Sequence, residues 1–124
     1  MPFDYIIDPV TDLTVIHAID ECDIPSFVQI METVASDARF NRETKILFDT
    51  SLVNPAPSTD EALLLVEVIA SIEIFKSHKI AVLATEQALY GINRVIATLS
   101  NLRGANIKVF INLGKAIEWL DRKE

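Results

Sequence analysis

Short apolar runs alternate along this chain with longer segments whose apolar residues recur every three or four positions. The runs lie at residues 45–50, 80–84 and 107–111. Runs of this length are typical of buried strands, whereas the longer spacing is typical of amphipathic helices. Strands separated by helices are joined by right-handed crossovers, which make neighbouring strands parallel. The pattern therefore restricts the chain to an α/β fold.

The first 20 residues depart from this alternation. Two strand candidates, 3–8 and 13–20, flank a turn at 9–12 that begins with proline, which predicts an antiparallel hairpin. The predicted order is ββαβαβαβα: one domain over residues 1–124, with a mixed sheet of about five strands and helices packed on it. The predicted core contains Val15, Ile46, Phe48, Ala81, Leu83, Val109 and Phe110.

Each predicted helix begins at a residue that can cap it. Asp23 precedes a first turn that contains proline, and Ser58 stands three residues before Glu61 as in a capping box. The second helix is predicted to run over residues 59–76. Thr85 is expected to cap the third helix and Asn112 the last one.

Composition excludes several classes of partner. The chain of 124 residues has 18 acidic and 11 basic side chains, so its formal net charge is −7. This balance argues against nucleic acid and against anionic lipid surfaces as partners. Cys22 is the single cysteine, so no disulfide forms within the chain. No signal peptide or transmembrane segment is recognised, and a cytoplasmic protein is expected.

Motifs for catalysis and cofactor binding are absent from the sequence. The three glycines form no dinucleotide fingerprint, P-loop or nucleophile elbow. His17 and His78 are far apart, and no Cys/His spacing indicates zinc. We therefore expect no enzyme, no cofactor and no metal, unless acids or histidines distant in sequence meet in one pocket.

The second predicted helix is apolar around most of its circumference. Asp60, Glu67 and Ser71 fall in one narrow polar stripe. A helix on a sheet normally buries only one stripe of its surface. A neighbouring helix, a homodimer or partner interface, or an apolar ligand could cover the rest. The candidate face comprises Leu64, Val68, Ile74 and Phe75.

Hydroxyl groups cluster near the predicted central strand and the helix after it. Asp49 and Ser51 stand at the predicted strand end, and Ser58 and Thr59 at the helix start. Anions bind at such places in α/β proteins, and a phosphorylated hydroxyl there is favoured by the helix dipole. Turn and capping chemistry is the alternative interpretation.

Five segments carry a resemblance to a known family. They are KILFD at 45–49, KIAVL at 79–83, YGINR at 90–94, VFIN at 109–112 and AIEWL at 116–120. With the element order, they resemble the SpoIIAA-like proteins, small bacterial domains of the STAS-like superfamily. Those proteins are related in fold to anti-sigma factor antagonists and to the cytoplasmic tails of sulfate transporters. The resemblance covers nearly the whole chain.

The resemblance implies a regulatory or protein-interaction domain without chemistry of its own. The antagonists carry a D-S-x-G-type motif whose serine is phosphorylated by a partner kinase. Asp49 and Ser51 match that motif in part, but its full form is missing, so Ser58 and Thr59 are the nearest hydroxyls in place. Apolar-ligand and membrane-associated roles have been considered for the SpoIIAA-like branch.

The sequence supports three functional hypotheses. The first is a protein-interaction or regulatory module, with a protein partner or a second copy docked around Leu64, Val68 and Phe75. The second is a carrier or sensor of a small apolar ligand, such as a fatty acid or lipid. The third is a phospho-regulated antagonist that uses Ser58 or Thr59.

Overall fold

The computed structural model describes residues 2–21 and 23–122, so Cys22 lies outside the described residues. These residues form five strands and five helices. In chain order they are β1 (Phe3–Asp8), β2 (Leu13–Asp20), α1 (Ile24–Ser36), β3 (Lys45–Val53), α2 (Thr59–Ala70), α3 (Ile74–Ser77), β4 (Ile80–Leu83), α4 (Gln87–Asn101), β5 (Ile107–Phe110) and α5 (Leu113–Asp121).

The five strands form one mixed sheet in the order β1-β2-β3-β4-β5. β1 pairs antiparallel with β2, and every other pair is parallel. The parallel strands β2 to β5 follow one another across the sheet in chain order. Their right-handed crossovers therefore place α1, α2 and α4 on the same side of the sheet. This arrangement confirms the predicted α/β fold and element order, with α3 as a short addition.

The two faces of the sheet carry two separate hydrophobic clusters. On the face that packs against α1 to α4, the ring of Phe27 lies next to those of Phe3, Phe48 and Phe75, with centroids 5.9 to 6.4 Å away. We call this the helical face. On the opposite face, called the α5 face, α5 packs mainly on β3, β4 and β5. Its buried residues are Leu47, Ala81, Leu83, Ala116, Trp119 and Leu120.

The predicted core is confirmed except at two positions. Val15 and Phe110 are half-buried at the margin of the α5 face, where one short helix cannot cover the whole sheet. The other five predicted core residues are buried: Ile46, Phe48, Ala81, Leu83 and Val109.

The second predicted helix is broken, and the prediction of one helix over 59–76 is wrong. α2 ends at Ala70, and the Ser71 hydroxyl donates to the carbonyl of Val68 at 2.6 Å. α3 begins at Ile74, after three residues that are not helical. A helical wheel drawn through the break therefore misplaces the residues of α3, and Ile74 and Phe75 in fact point into the core, only 6% and 3% exposed.

Three of the four predicted caps are present. The side chains of Asp23, Ser58 and Asn112 accept hydrogen bonds from first-turn backbone N–H groups. Thr85 is not a cap, because Glu86 takes this role by accepting from two N–H groups of α4. Within residues 2–21 and 23–122, none of the helices has the length and apolar character needed to cross a membrane.

Candidate functional site

A cavity of about 390 Å³ lies between the helical face of the sheet and helices α1, α2 and α4. Its volume falls within the range of small-molecule sites, which are typically mostly apolar with a few placed polar groups. The walls fit that description. The sheet contributes Phe48, Ile80, Val82 and Ile107, and the helices contribute Phe27, Leu64, Ile69, Leu89 and Ile96.

The cavity runs along the strands. One end is lined by Ile80 and Ile107, the first residues of β4 and β5. Thr50 also lines the cavity. It comes four residues after Ile46 on β3, and Ile46 pairs with Ile80 on β4. At a rise of about 3.3 Å per residue, Thr50 lies about 13 Å farther along the strands than the Ile46–Ile80 pair. The cavity therefore extends to the carboxyl ends of the strands, where open α/β sheets bind their ligands.

The mouth at the carboxyl ends is formed by connecting segments and helix starts. Glu21 and Asp23 come after β2, residues 55–57 come after β3, and Glu61 lies in the first turn of α2. The backbone N–H of Asn54 donates to the carbonyl of Asp20 at 3.1 Å, which joins the segments after β2 and β3.

The mouth is negatively charged. Hydrogen bonds from the backbone and side chain of Ser26 lower the pKa of Asp23. Those from the backbone and side chain of Ser58 lower the pKa of Glu61. Both carboxyls are therefore ionised at neutral pH. None of the lining residues that the structure describes is Lys, Arg or His.

A hydrogen-bonded pair, Thr50 and Asn93, interrupts the apolar wall. Thr50 is 8% exposed and lies on the helical face of β3. Its hydroxyl donates to the carbonyl of Leu83 at 2.8 Å and accepts from Nδ2 of Asn93 at 3.0 Å. Since the single hydroxyl proton goes to Leu83, the amide nitrogen must face Thr50. The amide oxygen of Asn93 has no hydrogen-bond partner among the described residues.

The position of Asn93 in the sequence is a signal for this pair, although hydrophobic periodicity alone does not identify the partner. Asn93 lies four residues after Leu89 and three before Ile96, which are both buried on α4. It therefore lies beside the buried stripe of the helix and is itself half-buried, where a polar side chain is expected to have a partner. The partner on β3 is 43 positions away, and only the fold brings it near.

The structure divides the predicted apolar face of the second helix. Leu64 is 56% exposed and lines the cavity, and the buried Phe75 lines it from the core. Val68 is half-buried, and Ile74 belongs to the core. The four residues thus do not form one external surface, because α2 and α3 are separate helices.

The predicted hydroxyl cluster also lies on two sides of the sheet. β3 extends to Val53, so Asp49 and Ser51 lie within the strand and alternate onto the α5 face. Ser58 and Thr59 are exposed at the start of α2. The structure does not bring these four residues together in one site.

His17 lies between two carboxylates that are distant in sequence. Its Nδ1 is 3.0 Å from Oδ1 of Asp4, and its Nε2 is 3.9 Å from Oδ2 of Asp49. Strand register produces this group, because His17 pairs with Asp4 on β1 and with Asp49 on β3. Among the residues that the structure describes, no three His, Cys, Asp or Glu side chains are grouped so as to hold a metal ion.

The chain is similar in structure to a solved protein from Shewanella loihica PV-4. That protein is an uncharacterized member of the DUF3478 family with a SpoIIAA-like fold. The TM-score is 0.63 at 16% sequence identity, and the match covers 95% of this chain and 93% of the other. The chain therefore has the SpoIIAA-like fold, as the resemblance in its sequence predicts. No protein-family model and no curated protein matches the sequence.

Proposed function

We propose that this protein is a non-enzymatic module that binds a small, largely apolar ligand between its sheet and its helices. The observation that carries the proposal is the cavity of about 390 Å³ with apolar walls. At about 30 Å³ for each water-sized group, it has room for about a dozen non-hydrogen atoms. A medium-length alkyl chain or a substituted aromatic ring is of this size.

The polar groups of the cavity support binding rather than catalysis. The Thr50 hydroxyl gives its proton to a backbone carbonyl, so it is not poised as a nucleophile. Asp23 and Glu61 already cap helices, and their pKa values are lowered rather than raised. General acids at neutral pH need the opposite shift.

The SpoIIAA-like fold suggests that binding serves regulation. Leu64 both lines the cavity and is 56% exposed, so a ligand that displaces it also changes the outer surface of α2. We infer that a bound ligand alters how this cytoplasmic module meets a protein partner. Under this proposal the partner hypothesis and the ligand hypothesis are compatible, because the ligand-free and the ligand-bound protein present different surfaces to a partner.

Native mass spectrometry and thermal unfolding test the proposal. The protein purified from its own cells should carry a small apolar adduct, and added n-decanol should raise the Tm of delipidated protein. A ligand at 100 times its Kd stabilises the folded state by about 2.7 kcal/mol. Val82→Phe places a ring in the cavity wall and should abolish the shift. Leu102→Phe, at a position 79% exposed and outside the cavity, should retain it.

Two results would count against ligand binding. One is protein without an adduct whose Tm no apolar probe raises. The other is equal Tm shifts in Val82→Phe and Leu102→Phe, which would place binding outside the cavity.

A second candidate function is docking of a protein partner or a second copy without a ligand. It is favoured by two adjacent exposed leucines of α2, Leu63 at 48% and Leu64 at 56%. The same native spectra distinguish it. A homodimer without adduct that Leu63→Glu converts to monomer would support this candidate.

Phospho-regulation at Ser58 or Thr59 has less support from the geometry. Both residues are exposed, but Asp60 and Glu61 come next in the first turn and would repel a phosphate. Intact mass from the native cells tests it. A species heavier by one phosphate that is lost in Ser58→Ala or Thr59→Ala would revive the hypothesis.

A further inference from the structure

We infer that the ligand of the cavity carries an uncharged hydrogen-bonding group, a hydroxyl or an amide, that binds the side chain of Asn93, and that it is not a fatty-acid anion. This inference rests on the proposed function of the cavity. It adds the chemical class of the ligand and the position of its polar end.

The orientation of Asn93 defines what the wall offers. Its Nδ2 is directed to Thr50 by the bond between the Thr50 hydroxyl and the carbonyl of Leu83. The amide oxygen is then an available acceptor, and Nδ2 retains a second hydrogen. An alcohol can donate to the oxygen. A ligand amide can donate to the oxygen and accept from the nitrogen.

Charge argues against a carboxylate. A carboxylate moved into an apolar site must be paired, because losing its hydration is costly. The described lining residues supply no cation, and they include the carboxylates of Glu21, Asp23 and Glu61 at the mouth. A fatty-acid anion would therefore meet repulsion at the mouth and no counter-ion inside. An alcohol with the same alkyl chain avoids both costs.

The apolar end of the ligand is expected at the opposite end of the cavity. Thr50 and Asn93 lie toward the carboxyl ends of the strands, whereas Ile80 and Ile107 begin β4 and β5. A ligand bound through Asn93 directs its alkyl chain toward those isoleucines. A cationic amphiphile would instead leave its head group outside, next to the acidic mouth.

A matched series of ligands tests the inference on the unmodified protein. The probes are n-decanol, decanamide, decanoate and decylamine at neutral pH, with Kd measured by calorimetry. The alcohol and the amide should bind, and decanoate should bind at least tenfold more weakly than n-decanol. The Asn93→Leu variant should bind n-decanol about threefold to tenfold more weakly, the range of one neutral hydrogen bond.

A probe without a polar group controls for damage to the fold. Butylbenzene should bind Asn93→Leu at least as tightly as the unmodified protein, because the substitution removes no contact that an apolar probe uses. If Asn93→Leu does not fold, the order of the four Kd values on the unmodified protein still tests the inference.

Each other outcome has a distinct meaning. Decanoate that binds as tightly as n-decanol, or decylamine that binds more tightly, would overturn the inference while the cavity remains a binding site. Equal losses of n-decanol and butylbenzene affinity in Asn93→Leu would also overturn it. Failure of every probe, butylbenzene included, would overturn the proposed function itself.

Discussion

Asn93 on α4 and Thr50 on β3 are 43 positions apart and share a hydrogen bond of 3.0 Å inside an otherwise apolar wall. The same hydroxyl also reaches the carbonyl of Leu83 on β4. One side chain thus connects the central strand, its neighbour and the helix that covers both. This connection adds a polar contact to the packing of α4 over the cavity.

Thr50→Val should destabilise the protein by about 1–3 kcal/mol, because it removes a buried hydroxyl and leaves the half-buried Asn93 amide without its acceptor. Thr50→Ser keeps the hydroxyl and should lose less. Urea denaturation followed by circular dichroism measures both. If Thr50→Val were as stable as Thr50→Ser, the pair would not contribute to stability.

Phe75→Ala and Leu64→Ala should differ sharply in stability. Phe75 is 3% exposed and packs against Phe27, so its loss should cost about 3–5 kcal/mol. Leu64 is 56% exposed, and its truncation should change the free energy of unfolding by about 0.5 kcal/mol or less. Thermal unfolding of the two variants compares them. Similar losses would mean that Leu64 belongs to the core.

Ser58→Ala should cost about 1 kcal/mol through loss of the capping box of α2. The Ser58 hydroxyl accepts from the Glu61 N–H at 3.2 Å, and the Ser58 N–H donates to Oε1 of Glu61 at 3.0 Å. Thr59→Ala, at the exposed next position, is the matched control and should be nearly neutral. Chemical denaturation that ranks the two variants in the reverse order would contradict the assignment of the cap.

Asp37 should make stability depend on pH on the acid side. The Arg39 guanidinium, the Arg39 backbone N–H and the Tyr5 hydroxyl donate hydrogen bonds to its carboxylate and hold its pKa well below its usual range. A pKa lowered by folding stabilises the protein above the unfolded value of 3.8, and the stabilisation is lost as pH falls below it.

Asp37→Asn tests this dependence. The variant should be less stable than the unmodified protein at neutral pH, and the difference should shrink as pH falls below 3.8. Free energies of unfolding measured across that range give the comparison. A difference that is constant with pH would remove Asp37 as its source.

Local signals predicted the start of most elements, and non-local pairing produced the candidate site. Caps such as Asp23 and Ser58 act within three residues, so the sequence shows them directly. Ser71 ends α2 through a bond to Val68 with no glycine or proline to mark the break. The Thr50–Asn93 pair depends on which strand lies under which helix, and hydrophobic periodicity does not contain that information.

The two ends of the cavity are lined by different parts of the fold. Its deep end consists of sheet residues such as Ile80, which is completely buried, whereas its mouth consists of Glu21, Asp23 and residues 55–57. Glu21 and residues 55–57 cap no helix and lie in connecting segments, so substitutions there cost less stability than substitutions in the deep wall. If the cavity binds the ligand proposed above, substitutions in these mouth segments can change ligand preference while the wall around the alkyl chain stays the same.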